Sequence, residues 1–367
     1  MNAKLERKLR TLGAIIVAGA VASVVNNLSQ GHHSMAAMIA GFAYAFVTCV
    51  VLGGIELFVF QGPLSERLNR LSFTALLAVR SAVYAVIIIA IQLLQVGERV
   101  AGLPYQTSIT DFWFSIAYSA AISLVLNFGF SIATLIGPRV FMNFVTGRYH
   151  SPVEEDRFVL FVDIAGSTGL AERLGGVGIH RFLDRTFRLL TESVVDYRGE
   201  VLNYVGDEVI VTWPERLGAV DCRPLRCFVA MRNALQKAAP QFEREFGAVP
   251  QIRGSLHFGP VIVGEIGDVK PAIVFNGDVM NTAARLEELS RKVDGGFLAS
   301  RAAMARFTAP PPFPVSDLGR LPIRGRVDGI DSLVVAGRRP ADRRGAGVRG
   351  SRRPRGVRRP RCRARSP

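Results

Sequence analysis

The chain has 367 residues and a formal net charge of +15, but the charge is distributed very unevenly. Residues 338–367 contain thirteen Arg and one acid, Asp342, and account for most of the net charge, so the rest of the chain is close to neutral. The 4 cysteines form no C-x-x-C pair and have no His at ligand spacing, which argues against a structural zinc site and against a disulfide framework.

The first third of the chain contains four long apolar segments. They cover residues 12–28, 35–60, 71–96 and 112–136. A helix needs roughly 20 apolar residues to cross about 30 Å of hydrocarbon, and these segments meet or approach that length. The pattern predicts an all-α transmembrane domain of four helices over residues 1–137.

The charges that flank these segments indicate their orientation. Lys and Arg precede the first segment, lie between the second and third, and follow the fourth, whereas the other two loops carry only Arg99. Because positive loops stay on the cytoplasmic side, both termini are predicted to face the cytoplasm. The region after Pro138 would then be cytoplasmic.

Two charged residues, Glu56 and Arg80, lie inside neighbouring apolar segments. Charges at such depth are costly unless they are paired or solvated. One interpretation is a ligand or ion sensor in the membrane. The other is an ion pair, or snorkelling side chains, that only fixes the packing of the helices.

A linker is predicted over residues 138–156, and the pattern after it changes to short β-type runs between helical stretches. Residues 158–164 (FVLFVDI) read as a buried strand that ends in Asp163, and Gly166, Ser167 and Thr168 follow before an amphipathic helix. Such a turn lets backbone N–H groups approach a phosphate, and an acid at the strand end can bind a divalent cation.

The next element covers residues 200–213 (EVLNYVGDEVIVTW), with two β-rich runs on either side of Gly206 and Asp207. This pattern predicts a hairpin with a tight Gly-Asp turn. One interpretation is that Asp207 is a turn residue alone. The other is a metal ligand, since a second carboxylate, Asp163, is expected to end a strand beside this hairpin in the same sheet. Two carboxylates that share two Mg²⁺ ions are a recurrent arrangement for displacement at phosphorus.

The third element covers residues 252–266 and is predicted to be a strand pair with a turn around Gly259 and Pro260. Residues 275–289 (FNGDVMNTAARLEEL) follow, with Asn281 and Arg285 four positions apart near the beginning of a predicted helix. An amide and a guanidinium on one helix face suit an oxyanion or a pentavalent phosphorus. The alternative is an ordinary solvated helix face.

The order and spacing of these motifs resemble the class III adenylate/guanylate cyclases over about residues 157–335. The opening motif reads FVDIAGSTGLAERLG, the hairpin YVGDEVIVTW and the last helix GDVMNTAARLE, and residues 318–335 (LGRLPIRGRVDGIDSLVV) resemble the closing strand pair of the family. Four motifs in the same order make the resemblance specific. It implies an α+β catalytic domain with a ferredoxin-like arrangement over residues 157–337.

The resemblance also implies roles for individual residues. Asp163 and Asp207 would bind two Mg²⁺ or Mn²⁺ ions, with the Ile164 carbonyl as an auxiliary ligand. Asn281 would orient the ribose, and Arg285 would stabilise the phosphate in the transition state. The remaining substrate contacts would come from Gly166, Ser167, Thr168 and Arg324, the last of which stands where the family usually has a Lys that contacts the triphosphate.

The implied reaction is the conversion of ATP to 3′,5′-cyclic AMP and pyrophosphate for second-messenger signalling, by attack of the ribose 3′-hydroxyl on the α-phosphate. No protein nucleophile is needed, so His257 is expected to be a packed strand residue near the dimer interface. In this family the metal carboxylates come from one protomer and the Asn/Arg pair from the other, which implies a homodimer. The implied location is the inner membrane of a bacterial cell.

The sequence departs from the family at the two positions that usually select the purine. The family has a Lys and an Asp or Thr there, whereas this chain has Asn203 and Val274. Asn203 offers a neutral amide and the Val274 side chain offers no hydrogen bond. The leading interpretation is an adenylate cyclase, and the alternatives are a guanylate or promiscuous cyclase and a membrane sensor that binds nucleotide without turnover.

The Arg-rich segment 338–367 is too polar and too rich in Pro and Gly to form a core, and we expect it to be disordered. It has no interleaved aromatic residues, so no specific nucleic-acid partner is expected.

Overall fold

The computed structural model describes residues 3–31, 33–60, 62, 68, 71–100, 109–269, 272–293, 295–311, 313–322 and 330–335. Arg324 and the Arg-rich segment 338–367 lie outside these residues, so the predictions about them are not addressed by the structure.

The N-terminal half consists of long helices, as the apolar segments predict. Four helices in the described part of the chain are long and apolar enough to cross a membrane. They are α1 (Ala3–Ser29), α2 (Met35–Gly54), α3 (Phe73–Val100) and α4 (Ile109–Ile136), and α2 continues as a π-helical segment, Ile55–Phe60. The four predicted helices are therefore confirmed, and their place in a membrane stays a prediction.

The two charges within these helices form a buried ion pair. Arg80 Nη1 lies 3.4 Å from Glu56 Oε1, and both residues are less than one-tenth exposed. The Tyr84 hydroxyl donates a hydrogen bond to the other Glu56 oxygen. The ion-pair interpretation is therefore confirmed, and a sensor role stays a prediction.

The C-terminal half begins with the short helix α5 (Pro138–Val145) and then forms one mixed sheet with helices. Its strands are β1 (Val153–Ile164), β2 (Glu200–Val205), β3 (Glu208–Pro214), β4 (Ile252–Ile266), β5 (Ala272–Asn276), β6 (Phe297–Ser300), β7 (Val315–Leu321) and β8 (Ile330–Val335). Its further helices are α6 (Ser167–Asp196), α7 (Glu215–Gly218), α8 (Arg223–Phe246), α9 (Asp278–Ser290) and α10 (Arg301–Ala305). β1 thus begins within the stretch predicted as a linker.

The first four strands have the ferredoxin-like arrangement that the resemblance implies. They follow the chain order β1-α6-β2-β3-α8-β4, and in the sheet they lie in the order β2-β3-β1-β4 with antiparallel pairing throughout. β6 continues the sheet parallel to β4, and β8 and β7 follow as an antiparallel pair. The predicted closing strand pair is therefore confirmed.

The central strand β1 is buried on both faces, because its apolar residues form a continuous run. Phe158, Leu160 and Val162 face the larger core, to which α6 and α8 contribute, whereas Val159 and Phe161 face a second cluster that includes residues of α9. A strand with helices on both faces loses the apolar/polar alternation of a half-exposed strand. Helix α9 is thereby held against β1 and β4.

The predicted turn around Gly259 and Pro260 is wrong, because β4 is one continuous strand of 15 residues. Pro260 pairs with Asp156 of β1, between the segment of β4 that pairs with β6 and the segment that pairs with β5. No other described strand pairs with β4 at Pro260, so on the side of β4 away from β1 the missing N–H of proline costs no ladder hydrogen bond.

Candidate active site

The predicted metal carboxylates lie together at one end of the sheet. β1 ends just after Asp163, which is paired in register with Glu208 at the start of β3, and Asp207 lies in the preceding turn. Gly206 has a φ of 63°, the left-handed conformation that glycine adopts without strain. The predicted hairpin turn and the proximity of the two acids are therefore confirmed.

The beginning of α6 lies beside these carboxylates. The Ser167 hydroxyl donates a hydrogen bond to the Asp207 carboxylate, and the Ile164 N–H donates to the Asp207 backbone carbonyl at 3.3 Å. Gly166 precedes the helix with a φ of 74°. Because the first N–H groups of a helix have no partner within the helix, those of Ser167 and Thr168 form a site suited to a phosphate.

Four charged residues that the sequence did not single out surround Asp163: Glu208, Arg253, Glu287 and Arg291. Arg253 Nη2 donates to Asp163 Oδ2 at 3.1 Å, and Arg291 Nη2 lies 3.7 Å from the same oxygen. Arg291 also contacts Glu287 Oε2 at 3.3 Å. Glu208 follows Asp207 directly and Glu287 shares a helix with Arg285, but no spacing rule indicates the two arginines.

The cluster holds more negative charge than its arginines offset. Burial raises the pKa of Asp163 to about 6, with further upward contributions from Glu287 and Asp207. Burial likewise raises the pKa of Glu208 to about 7, with contributions from Glu287, Asp163 and Asp207. Arg291 lowers both pKa values. A divalent cation would relieve this repulsion.

The donor atoms fit a hard cation. The described residues contain no group of three or more His, Cys, Asp or Glu side chains that could hold a metal ion. Mg²⁺, however, is commonly bound by one or two carboxylates together with substrate phosphates and water. The carboxylates of Asp163 and Asp207, with the Ile164 carbonyl, match that donor set.

Asn281 and Arg285 do not face this cluster. The side of α9 that is buried against the sheet includes Glu287, whose charge raises the pKa of Asp163. Arg285 is two positions from Glu287, about 200° around the helix, and Asn281 shares the Arg285 face. Asn281 is exposed and Arg285 half-buried, and the residues that the structure describes provide neither with a hydrogen bond or an ion pair.

The two base-selecting positions lie on different strands. Asn203 is exposed on β2, next to a β-bulge, and its side-chain oxygen accepts a hydrogen bond from the Tyr204 N–H at 2.9 Å. Val274 is half-buried on β5 and paired with Gly264 of β4. β2 and β5 do not pair with each other, and the roles of both residues in reading a base stay predictions.

His257 is a buried strand residue, as predicted. Its Nδ1 lies 2.7 Å from the Ser300 hydroxyl, on the neighbouring strand β6. It is therefore part of the packed sheet, and its predicted place near a dimer interface is not tested.

Comparison with known proteins gives a family match to the same half of the chain. The sequence profile described as "Adenylate and Guanylate cyclase catalytic domain" matches residues 151–332. This range covers β1 through the first half of β8, and therefore contains both carboxylates and the helix α9.

Individual proteins are similar as well. Adenylate cyclase 2 of Rhizobium meliloti (strain 1021) is 32% identical over 296 residues, which cover 78% of this chain and 80% of that protein. An adenylate cyclase of Anabaena cylindrica is 24% identical over 185 residues, which cover 48% of this chain and 36% of the length of that protein. The solved structure of a bacterial light-regulated adenylyl cyclase matches the fold with a TM-score of 0.51 at 20% identity, over 63% of this chain and 66% of that one.

Proposed function

Because the chain belongs to the class III adenylate/guanylate cyclase family, we propose that it is a membrane-bound adenylate cyclase that converts ATP to 3′,5′-cyclic AMP and pyrophosphate. The observation that carries the proposal is the pair of the buried Asp163 and the half-buried Asp207, at the sheet end beside the first turn of α6. The similarity to the Rhizobium protein supports the proposal further, because the aligned region of 296 residues is much longer than the catalytic match at residues 151–332.

The described helices support a membrane location for the enzyme. Four of them are long and apolar enough to cross a bilayer, and the catalytic half follows the fourth directly. With positive loops inside, this arrangement presents the catalytic half to cytoplasmic nucleotide. The proposed site of action is the cytoplasmic face of a bacterial inner membrane.

The residues around the carboxylates have distinct tasks in this proposal. Asp163, Asp207 and the Ile164 carbonyl would hold two Mg²⁺ or Mn²⁺ ions. When bound, divalent ions supply positive charge at the phosphates and lower the pKa of a coordinated hydroxyl. Ser167 orients the Asp207 carboxylate by its hydrogen bond, and Arg253 holds Asp163 in the same way.

The phosphates and the ribose are positioned by other groups of the chain. The N–H groups of Gly166, Ser167 and Thr168 at the start of α6 bind the phosphates. Asn281 orients the ribose, and the Arg285 guanidinium stabilises the charge that builds up on the α-phosphate in the transition state. Arg324 is assigned to the triphosphate by its sequence position alone.

We further propose that the active unit is a homodimer. Within one chain Glu287 faces Asp163, so Asn281 and Arg285, on the other side of the same helix, are directed away from the carboxylates of their own chain. Two copies can complete two equivalent sites, each with carboxylates from one chain and the Asn/Arg pair from the other.

The test of the reaction uses the purified full-length protein with Mn²⁺ and either ATP or GTP, followed by chromatography of the products. We expect cyclic AMP, with a smaller rate from GTP. A higher rate with GTP would replace the proposal by the guanylate or promiscuous cyclase, the alternative left open because Asn203 and Val274 are not the usual residues for adenine. Nucleotide binding without a cyclic product would establish a sensor that does not turn over its ligand.

The test of the dimer mixes two inactive chains, Asp163→Ala and Arg285→Ala. If chains pair at random, half of the dimers are mixed, and each of these has one doubly damaged site and one intact site. Activity should therefore recover to ~25% of the wild-type value. Absence of recovery, in a sample where crosslinking proves that mixed dimers formed, would mean that each site lies within one chain.

A further inference from the structure

Arg291 directly follows helix α9, and its guanidinium lies beside the metal carboxylates. Its Nη2 atom is 3.3 Å from Glu287 Oε2 and 3.7 Å from Asp163 Oδ2. The side chain of Arg291 is 52% exposed, whereas those of Asp163 and Glu287 are 6% and 3% exposed. The guanidinium therefore lies where the buried acids meet solvent. The reaction proposed above gives it no task.

Arg291 is not needed to hold the Asp163 carboxylate, because Arg253 already does so. Arg253 Nη2 donates to Asp163 Oδ2 at 3.1 Å, which is within hydrogen-bond distance, whereas Arg291 Nη2 at 3.7 Å is beyond it. The hydrogen bond of Arg291 goes to Glu287, four positions earlier in the chain. The position of the Arg291 guanidinium is therefore set mainly by Glu287.

Most of the hydrogen-bond donors of Arg291 are unused. A guanidinium has five N–H donors, and both contacts of Arg291 involve Nη2. The described residues give its Nη1 and Nε no hydrogen bond or ion pair. Because a guanidinium can bond two oxygens of one phosphate at the same time, these donors suit a phosphate ligand.

The charge of the cluster explains why a phosphate would come to Arg291. Without metal the carboxylates outnumber the arginines: Asp163, Asp207, Glu208 and Glu287 stand against Arg253 and Arg291. Two divalent cations would reverse the sign of the net charge. Substrate phosphates share such cations with the carboxylates that hold them, so they come close to Asp163 and to the guanidinium beside it.

We propose that Arg291 is a further substrate-binding residue, which donates hydrogen bonds to the phosphates of the nucleotide, and that Glu287 positions its guanidinium. The proposal rests on the function proposed above and adds to it. Arg291 acts on the same chain as Asp163 and Asp207, whereas Arg285 is assigned to the site of the partner chain. The buried Glu287 keeps the guanidinium at the site when a cation occupies Asp163.

The test measures nucleotide binding by calorimetry on the full-length protein in lipid nanodiscs, at pH 8 with saturating Mn²⁺. The probe is 3′-deoxy-ATP, which lacks the attacking hydroxyl and therefore binds without reacting. Arg291→Ala should weaken its binding by roughly 10- to 100-fold, the factor that corresponds to one charge-assisted hydrogen bond. Arg291→Lys should lose less, because it keeps the charge but not the paired donors.

The matched control is Arg188→Ala. Arg188 also pairs with an acid four positions earlier, Asp184, and its side chain is 57% exposed, so this variant removes a similar ion pair far from the site in sequence. It should bind 3′-deoxy-ATP like the wild type. A double-mutant comparison tests Glu287: in the Glu287→Gln background, Arg291→Ala should cause a smaller loss, because the guanidinium is no longer held by a charge.

Binding of Mn²⁺ without nucleotide separates phosphate binding from support of Asp163. Arg291→Ala should keep the Mn²⁺ affinity or raise it, because the variant removes a positive charge beside the cation. A fall in Mn²⁺ affinity as large as the fall in nucleotide affinity would show that Arg291 only supports Asp163, and would overturn the proposal.

Two other results would also contradict it. Equal 3′-deoxy-ATP affinity in Arg291→Ala and Arg188→Ala would remove Arg291 from the substrate site. The same loss from Arg291→Ala with Glu287 or Gln at position 287 would remove the positioning role of Glu287. If the wild type forms cyclic AMP, such results overturn the role of these residues alone. If it forms no cyclic product, the proposed reaction fails, and the binding comparison still decides whether Arg291 contacts the phosphates.

Discussion

The two halves of the molecule bury different kinds of residue. Up to residue 136, the described part of the chain buries as many polar side chains as apolar ones. The polar residues are Asn27, Glu56, Arg80, Gln92 and Asn127, and the apolar residues are Leu57, Phe60, Tyr84, Ile88 and Ile91. In the catalytic half the largest buried side chains are apolar, with Trp213 and Phe158 among them. The two halves are therefore built for different surroundings.

The difference shows what exposure means in each half. Val86 and Val125 are 67% exposed on the long apolar helices, which would be unfavourable in water and would cost nothing in lipid. Polar side chains on these helices are more stable when they contact each other or face a cavity than when they face lipid. In the catalytic half, by contrast, charge is concentrated at one end of the sheet, where Asp163 and its neighbours meet solvent and substrate.

The largest effect is expected in a test of membrane topology. This test asks whether the N-terminal half crosses the membrane with the catalytic half on the cytoplasmic side. A reporter fused after Gln30 should score as external, and one fused after Glu66 as cytoplasmic, in an all-or-none manner. The reverse pattern would place the catalytic half away from cytoplasmic ATP. It would remove both the membrane orientation and the proposed reaction.

The next effect concerns the carboxylates. Asp163→Ala or Asp207→Ala should lower cyclase activity by at least ~10³-fold, because several kcal/mol of transition-state stabilisation are lost with the metals. Membrane insertion should persist, since little core volume changes. Asp156→Ala, on the exposed part of the same strand β1, is the matched control and should leave activity near the wild-type value. Activity in either metal-site variant comparable to that of the control would remove the two-metal assignment.

A smaller effect is expected at the base-selecting positions. The double change Asn203→Lys and Val274→Asp restores the pair that the family normally uses for adenine. The preference for ATP over GTP should rise by about 1 to 3 kcal/mol if the new polar groups reach the base. Asn203→Glu, the usual choice for guanine, should move the ratio of the two rates in the opposite direction. An unchanged ratio in both variants would show that base selection lies elsewhere in the chain.

The smallest effect is a pH dependence of metal binding. The pKa of Asp163 is raised from 3.8 to about 6, so the metal-free folded chain keeps a proton that the unfolded chain releases at lower pH. Between these values the metal-free protein loses stability as the pH rises. Below pH 6 a metal ion must displace that proton, and Mn²⁺ affinity should fall by about tenfold per pH unit.

Calorimetry of Mn²⁺ binding to the nucleotide-free protein between pH 5 and pH 8 measures this dependence. Glu287→Gln removes a charge that raises the pKa of Asp163, so it should shift the dependence to lower pH. Glu288→Gln, at the exposed neighbouring position, should not shift it. An affinity that is constant from pH 5 to pH 7 would contradict the assignment of Asp163 as a metal ligand.

Much of the fold could be predicted because its signals are local. The four apolar segments, the strand that ends in Asp163, the Gly-Asp turn and the helix with Asn281 and Arg285 all lie within short windows of sequence. The error at Gly259 and Pro260 has a physical reason: these residues usually end strands, but here a gap between two neighbouring strands makes proline harmless.

The charged surroundings of Asp163 could not be predicted in the same way. Arg253 and Arg291 lie 90 and 128 positions away in sequence, and they meet Asp163 because β4 pairs with β1 and α9 packs over both. Contacts of this kind follow from tertiary packing, and no periodicity in a single sequence specifies them.

The order of the strands has a consequence for the synthesis of the protein. β1 is the first strand to leave the ribosome, yet its partners are β3 and β4, and Ile164 at its end pairs with Ile252 of β4. At ~5 to 20 residues per second, the roughly 90 residues between them take about 5 to 20 s to make. During this time the apolar strand Phe158–Val162 lacks the neighbouring strand β4. In the proposed homodimer, a chain could therefore complete a site with its partner only after β4 has been made.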